Sequence, residues 1–448
     1  MKKWRMVLSC VLLVVLLSLL GCAGKKEESR YLNEAENNQG KNVLKLAGVC
    51  FADHPELQEA VAEFNAVQDK VRIELHDYMD GVEDYSDAIS RMNLDIMRGN
   101  IPDLLMVSSP IDSSVYAGKG LLCDLYSLMK DDVDFSKEMI VSSVLSSYEE
   151  NGKLYSLMPG FAIKSAWGKA SELGSKNGKS FQEFRDFLKG GNGKRTVSGF
   201  SADESALVVL TTVLMDDFID WEKGACYFDG EEFYHLLEFL SKDYKRYEYI
   251  PSGNGFVRDI LDNKVTILFG EIFCVGDYLI QRQLYGDDLV FLGMPTDSGS
   301  GTALFAVGAR IAISSKTKNK AAAWDFLKYY CEKDMPNRSY FPIMTQKFES
   351  QLRLSQDVMT VSDESGNTVE KPLAFYFDGV QNHMIYKATK KECDDLVSLV
   401  QSADRKFEYH PEIMKIIQEE VGSLMSGDKS IEDISEVIQN RVELYLKE

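Results

Sequence analysis

The chain has 448 residues, with 50 Lys and Arg against 70 Asp and Glu, a net charge of −20 and a pI near 4.8. That length exceeds what one hydrophobic core usually supports, so two domains or one split domain is expected. A hydrophobic fraction of 45% with 11% aromatics excludes a disordered chain, and an acidic balance without a basic stripe excludes nucleic acid as partner.

The amino terminus reads as an address. Lys2, Lys3 and Arg5 precede an uncharged apolar run over 6–20 that ends in Gly21 and Cys22. The run is too short to cross a hydrocarbon core of roughly 30 Å comfortably, which marks residues 1–21 as a secretory signal. The sequence Leu19-Leu20-Gly21-Cys22 resembles the lipobox of bacterial lipoproteins. That resemblance implies that Cys22 is acylated and becomes the first residue after cleavage. Two acyl chains anchor stably where one does not. Residues 22–42 then form the lipidated Cys and a polar spacer; about 20 flexible residues reach roughly 25 Å, enough to hold a globular body just off a membrane.

From residue 43 the pattern is regular. VLKLAGV over 43–49 is a short strand, and Asp53-His54-Pro55-Glu56 starts a helix carrying Leu57, Ala60, Val61 and Phe64 on one face. Val71, Ile73 and Leu75 alternate with Arg72, Glu74 and His76, the period of a strand. A helix around 89–97, a turn at Gly99-Asn100 and the apolar run 104–107 follow. Strands separated by helices pair in parallel and bind ligands beyond their carboxyl ends. The loops 50–54 and 108–112 are therefore candidate ligand walls.

Six cysteines besides Cys10 and Cys22 are widely spaced, mostly within apolar runs, and read as free thiols. Five histidines without C-x-x-C or H-x-x-x-H companions leave a zinc or haem site without support, and the acidic loop 77–87 lacks the spacing of a calcium loop. No metal and no cofactor is expected.

The stretches GNIPDLLMVSSP, YAGKGLLCDLYSLMKD and GKLYSLMPGFAIKSAWGK, then FLGMPTDSGSGTALFAVGARIAISSKTKNKAAAWDFLKYY, resemble in that order successive elements of extracellular solute-binding proteins (family 1) of ABC sugar importers. The last segment, SLMSGDKSIEDISEVIQNRVELYLKE, is similar to the carboxyl terminus of Gram-positive sugar-binding lipoproteins. Segments 196–249 and 353–389 carry no motif of that family.

The resemblance implies an α/β, two-lobed, periplasmic-binding-protein-like (type II) fold with discontinuous lobes and a hinge of several crossing strands. Crossings are expected over 155–163, 264–269 and 309–314. Lobe one then comprises 43–158 plus 270–307, and lobe two 160–263 plus 315–448. The implied partners are a carbohydrate, the permease subunits of the importer, and a membrane reached through the lipid alone, on the extracellular face.

Sugars present C–H faces and hydroxyl rings, so their sites combine aromatic platforms with carboxylates. Asp103 matches the aspartate of the family's strand start, where it serves either as a structural acceptor or as a ligand contact. Phe161 and Trp167 follow the first crossing, facing the cleft or packing as core. Glu271 and Phe273 follow the second, and Glu271 either reaches ligand or pairs with a basic group. Phe305 lies in a glycine-rich segment able to approach ligand, and Phe51 and His54 lie beyond the first strand. Trp324, in a helical stripe with Ala323, Phe326, Leu327 and Tyr330, reads as packing. A receptor for a non-sugar solute stays open as an alternative, and a secreted glycosidase is disfavoured because neither G-x-S-x-G nor metal-ligand spacing is present.

Overall fold

The computed structural model describes residues 41–108, 111, 113–175, 177–191, 194–199, 205–249, 255–333, 340–363 and 365–447. The expected signal peptide, Cys22 and nearly all of the expected spacer lie outside the described residues, as do Ser109, Pro110 and Asp112 of the expected ligand wall. Two sheets organise the rest. The first runs Val71–Asp77, Asn42–Gly48, Leu104–Met106, Ile311–Ile313, Ser156–Leu157, with the first three strands parallel and the last two antiparallel additions. The second runs Arg405–Lys406, Ala303–Val307, Gly160–Lys169, Ile267–Ile272, Val197–Ser198. Leu289–Phe291 and Phe341–Pro342 also pair with its long central strand, Gly160–Lys169.

The opening strand, helix, strand unit forms where periodicity placed it. The helix Pro55–Val67 buries Leu57, Ala60, Val61 and Phe64. Asn65 ties it to the next strand by donating to the Ile73 carbonyl at 2.9 Å and accepting the Ile73 N–H at 2.8 Å. At the far end of the chain, helices Pro411–Ser426 and Ile431–Lys447 bury Ile413, Met414, Ile417 and Val421, and Ile431, Ile434, Ile438 and Val442. That spacing of three and four is the stripe of an amphipathic helix, and it covers the outer face of the second sheet.

The chain crosses between sheets at Met158-Pro159, and again at 308–310 between Ala303–Val307 and Ile311–Ile313. The crossing expected over 264–269 does not occur. Ile267–Ile272 instead pairs antiparallel with Gly160–Lys169 along its whole length, from Ile267 opposite Gly168 to Ile272 opposite Ile163. Segment 270–307, expected in lobe one, therefore supplies three strands to the second sheet. In the opposite sense, helix Lys320–Glu332 packs on Pro55–Val67 and on Ile311–Ile313 of the first sheet, although 315–448 was assigned wholly to lobe two. The physical reason is that a six-residue apolar strand looks the same whether it crosses or continues a sheet; only its pairing partner differs. The six described cysteines are free, and four are buried.

Candidate functional site

The central strand of the second sheet alternates between two faces. Phe161, Ile163 and Trp167 enter the core shared with the first sheet, while Ala166 faces the core beneath the carboxyl-terminal helices. Period two places Ala162 and Lys164 on the Ala166 face. On the neighbours, Ile267, Phe269 and Ala303 join that same core. Two residues further along, Glu271 stands opposite Lys164 and Phe305 opposite Ala162. Here the covering core ends. The hinge-proximal end of the face is left with Lys164, Glu271, Phe273, Phe305 and Phe407.

These five side chains form one constellation. The Phe305 ring lies edge-on to Phe273 at 5.3 Å and to Phe407 at 6.3 Å. The Lys164 ammonium sits 4.2 Å from the centroid of Phe407 and donates to Glu271 Oε1 at 2.7 Å. Their exposure is unequal: the Lys164 side chain is 3% exposed, that of Glu271 31%. A buried lysine thus fixes a carboxylate whose free edge remains open beside three phenylalanine rings. Such a surface can stack an apolar face and accept hydroxyl hydrogens at once. Glu271, Phe273 and Phe305, named from sequence, are brought together here. Phe407 was missed, because it follows a strand of only two residues, Arg405–Lys406. Lys164 was missed too, although its signal is a lone charge in the apolar run 160–167.

The remaining named residues stand elsewhere. Phe161 is buried between Phe341, at 5.5 Å, and Phe348. Trp167 is buried against Phe291, and its indole N–H donates to Gln281 at 3.1 Å. A Cβ on Gly270 would lie 2.4 Å from the Trp167 ring, so glycine is needed directly before Glu271. Trp167 thereby supports the strand that presents Glu271. Asp103 accepts the Lys45 N–H at 3.0 Å and the Thr317 hydroxyl, stitching the first strand to the loop after Ile311–Ile313. Phe51 is buried, and its N–H donates to Asp77 at 2.8 Å. His54 contacts Glu56 at 3.2 Å, and the same Glu56 oxygen accepts the Ala309 N–H at 3.1 Å. His54 therefore belongs to a bracket on the second crossing. Trp324 is buried as packing, donating to Asp132 at 2.7 Å.

A second ionic group bridges the two sheets. Arg310, at the crossing, pairs with Glu408, and both side chains are 5% exposed. Glu408 also accepts from the Ser113 hydroxyl at 2.8 Å, on the first-lobe helix Ser113–Gly118. Lys406 reaches Glu150 at 2.6 Å and Glu408 at 3.2 Å. Burial by itself would raise the Glu408 carboxyl; the charges of Arg310 and Lys406 outweigh it and hold the group well below its ordinary 4.5. Burial likewise opposes the charge of Lys406, and Asp216, Glu150 and Glu408 outweigh it and raise the ammonium above 10.5. The lobes also meet beside Trp221 of the second lobe, which stacks on His410 at 4.6 Å. A Cβ added to Gly118 of the first lobe would stand 3.3 Å from the Trp221 carbonyl oxygen.

A groove of about 720 Å³, lined by Tyr126, Ile140, Leu145, Phe348 and Val397 among others, opens on the opposite face of the second sheet and shares no residue with the aromatic constellation. Among the described residues, no group of three His, Cys, Asp or Glu side chains is placed to hold a metal ion, and no helix is long and apolar enough to cross a membrane.

Two sheets joined by crossing segments, with a polar and aromatic face at the hinge-proximal end of one of them, define a two-lobed, periplasmic-binding-protein-like receptor. Residues 59–343 match the family described as bacterial extracellular solute-binding protein, and the chain belongs to that family. Solved structures agree in fold. The sugar-binding protein MalE from Xanthomonas citri superposes with a TM-score of 0.54 at 12% identity, covering 91% of this chain and 98% of that one. A family 1 extracellular solute-binding protein from Bifidobacterium longum subsp. infantis gives 0.51 at 13% identity, over 90% and 99%. The cyclic alpha-maltosyl-1,6-maltose binding protein from Arthrobacter globiformis gives 0.50 at 15% identity, over 91% and 100%. No protein of curated function matches the chain.

Proposed function

We propose that the protein is a membrane-tethered extracellular lipoprotein that captures a mono- or oligosaccharide by closure of its lobes and delivers it to the permease of an ABC importer. The observation that carries this reading is the half-open Glu271 carboxylate, held by Lys164 amid Phe273, Phe305 and Phe407. Aromatic rings stack on the C–H faces of a pyranose, and the open carboxylate edge accepts its hydroxyls. The similar proteins from Xanthomonas citri and Arthrobacter globiformis bind a sugar and a cyclic maltosyl-maltose, which supports the same ligand class here. Cys22 carries the lipid, Glu271, Phe273, Phe305 and Phe407 contact ligand, Lys164 positions Glu271 from beneath, and no reaction is catalysed.

Closure is a population shift, so the ligand must favour the closed state by contacts to both lobes. Thermal unfolding against a panel of sugars and other small solutes tests the proposal. A ligand at a hundred times its dissociation constant adds about 2.7 kcal/mol. Stabilisation by a non-sugar solute alone would move the receptor to another ligand class, and stabilisation by none would remove the reading.

A further inference from the structure

The segment without family motif at 353–389, beyond the matched residues 59–343, folds into two β-hairpins. Thr360–Ser362 pairs with Thr368–Glu370, and Ala374–Phe377 with Asn382–Ile385. The second hairpin is apolar on both faces. Its inner face packs on helix Val275–Tyr285: a Cβ on Gly276 would stand 3.1 Å from the Ala374 Cβ, and Ile385 is buried. Tyr376 stacks on His383 at 4.8 Å within the hairpin. Its outer face carries Phe375 opposite Met384, then Phe377 and, at the turn, Val380. Phe375 is 61% exposed, Phe377 55% and Val380 78%. A strand needs one apolar face to pack; a second, displayed to water at a tip, is a cost unless something covers it.

The charges at the base of the hairpin point to the cover. Between 371 and 391 there are four lysines and one aspartate, with Glu370 and Glu392 directly outside. The aspartate, Asp378, is turned into the loop, accepting the Val380 and Gln381 N–H groups at 2.8 Å each and contacting His383 at 2.7 Å. Lys390 and Lys391 bridge to Asp394 and Asp395. Lys371 and Lys387 are exposed and form no ion pair with the described residues. Protein partners are usually engaged through pockets ringed by polar groups. An exposed apolar tip with open lysines at its base instead suits a surface that is apolar inside and anionic at its boundary.

We propose that hairpin 374–385 is a membrane-docking tip. Phe375, Phe377, Val380 and Met384 enter the interfacial region of an anionic phospholipid bilayer, while Lys371 and Lys387 meet its headgroups. The inference rests on the tethered reading, in which the lipid on Cys22 and a spacer of about 20 residues keep the body within roughly 25 Å of that surface. The tip gives the tethered body a second point of contact, which restricts its orientation.

The experiment uses the full chain matured in bacterial membranes and reconstituted into vesicles of phosphatidylglycerol and phosphatidylcholine bearing brominated acyl chains. Val380→Trp adds an exposed tryptophan at the tip; Trp167 and Trp324 are buried, Trp221 is half-buried against His410, and the parent protein's emission is subtracted. The expected result is a blue-shifted emission of the added indole, quenched by bromine, and loss of both on adding Phe375→Ser and Phe377→Ser. Retention on vesicles is measured in parallel with Cys22→Ala. Retention through Cys22 with the added indole unquenched overturns the docking tip while leaving the anchor standing. Failure of retention with the added indole unquenched overturns both. Quenching that persists in Cys22→Ala supports the tip independently of the lipid. An added indole that stays unquenched on vesicles and shifts its emission only when the permease is present assigns the patch to a protein and overturns the proposal.

Discussion

The two buried lysines of the second sheet make a controlled comparison. Lys406 and its neighbours Arg310, Glu408 and Glu150 are sealed from solvent or nearly so, and join elements of both lobes. Lys164 is as buried as Lys406, yet its partner Glu271 keeps an open edge beside three phenylalanine rings. A fully enclosed pair can only hold the protein together, because any ligand would have to break it. A pair enclosed on the cationic side alone offers a fixed, oriented acceptor to whatever enters the cleft. The difference between a clasp and a site thus lies in which partner faces water.

The largest expected effect breaks the clasp. Glu408→Gln leaves Arg310 and Lys406 buried without their shared counter-charge and should cost about 3–5 kcal/mol in chemical denaturation, with the affinity of any ligand for the folded state little changed. Acid exposes the same group. A carboxyl depressed in the folded state contributes its full stability above its ordinary value of 4.5, and loses it as the pH falls below that towards the native value. Wild type should therefore lose more stability than Glu408→Gln on titration below about pH 5, as followed by the denaturation midpoint.

Effects at the open pair should fall on binding instead. Glu271→Gln keeps the shape and removes the charge, so affinity should drop by about 1.5–3 kcal/mol, the worth of a charged hydrogen bond, with a smaller change in the stability of the free protein. Calorimetric titration and unliganded melting separate the two. The smallest effect is expected from Phe305→Ala or Phe407→Ala, each about 0.5–1.5 kcal/mol in affinity from lost ring contacts. Equal losses of stability in Glu271→Gln and Glu408→Gln would dissolve the distinction between site and clasp.

Sequence periodicity was enough for elements whose partners are close in the chain. The strand, helix, strand unit over 42–77 and the free thiols were legible because burial patterns are local. Sheet membership was not, since Ile267–Ile272 pairs with a strand about a hundred residues earlier, and nothing in its own composition says so. The site divides the same way. Glu271, Phe273 and Phe305 were named from the positions of family motifs. Phe161 and Trp167 share their strand with Lys164 but point to the opposite face, and only the register against Ile267–Ile272 decides which face is which. The clasp was invisible, because Arg310 and Glu408 are 98 residues apart, and the family stretch that holds Arg310 says nothing of its partner.

The central claim is that ligand binds on the open pair and its rings. Thermal unfolding of wild type and of the double variant Glu271→Gln, Phe305→Ala, each with and without the sugar that most stabilises wild type, tests it directly. The account predicts a shift for wild type, its near absence in the double variant, and unliganded melting temperatures within a few degrees of each other. An equal ligand-induced shift in both proteins would contradict it.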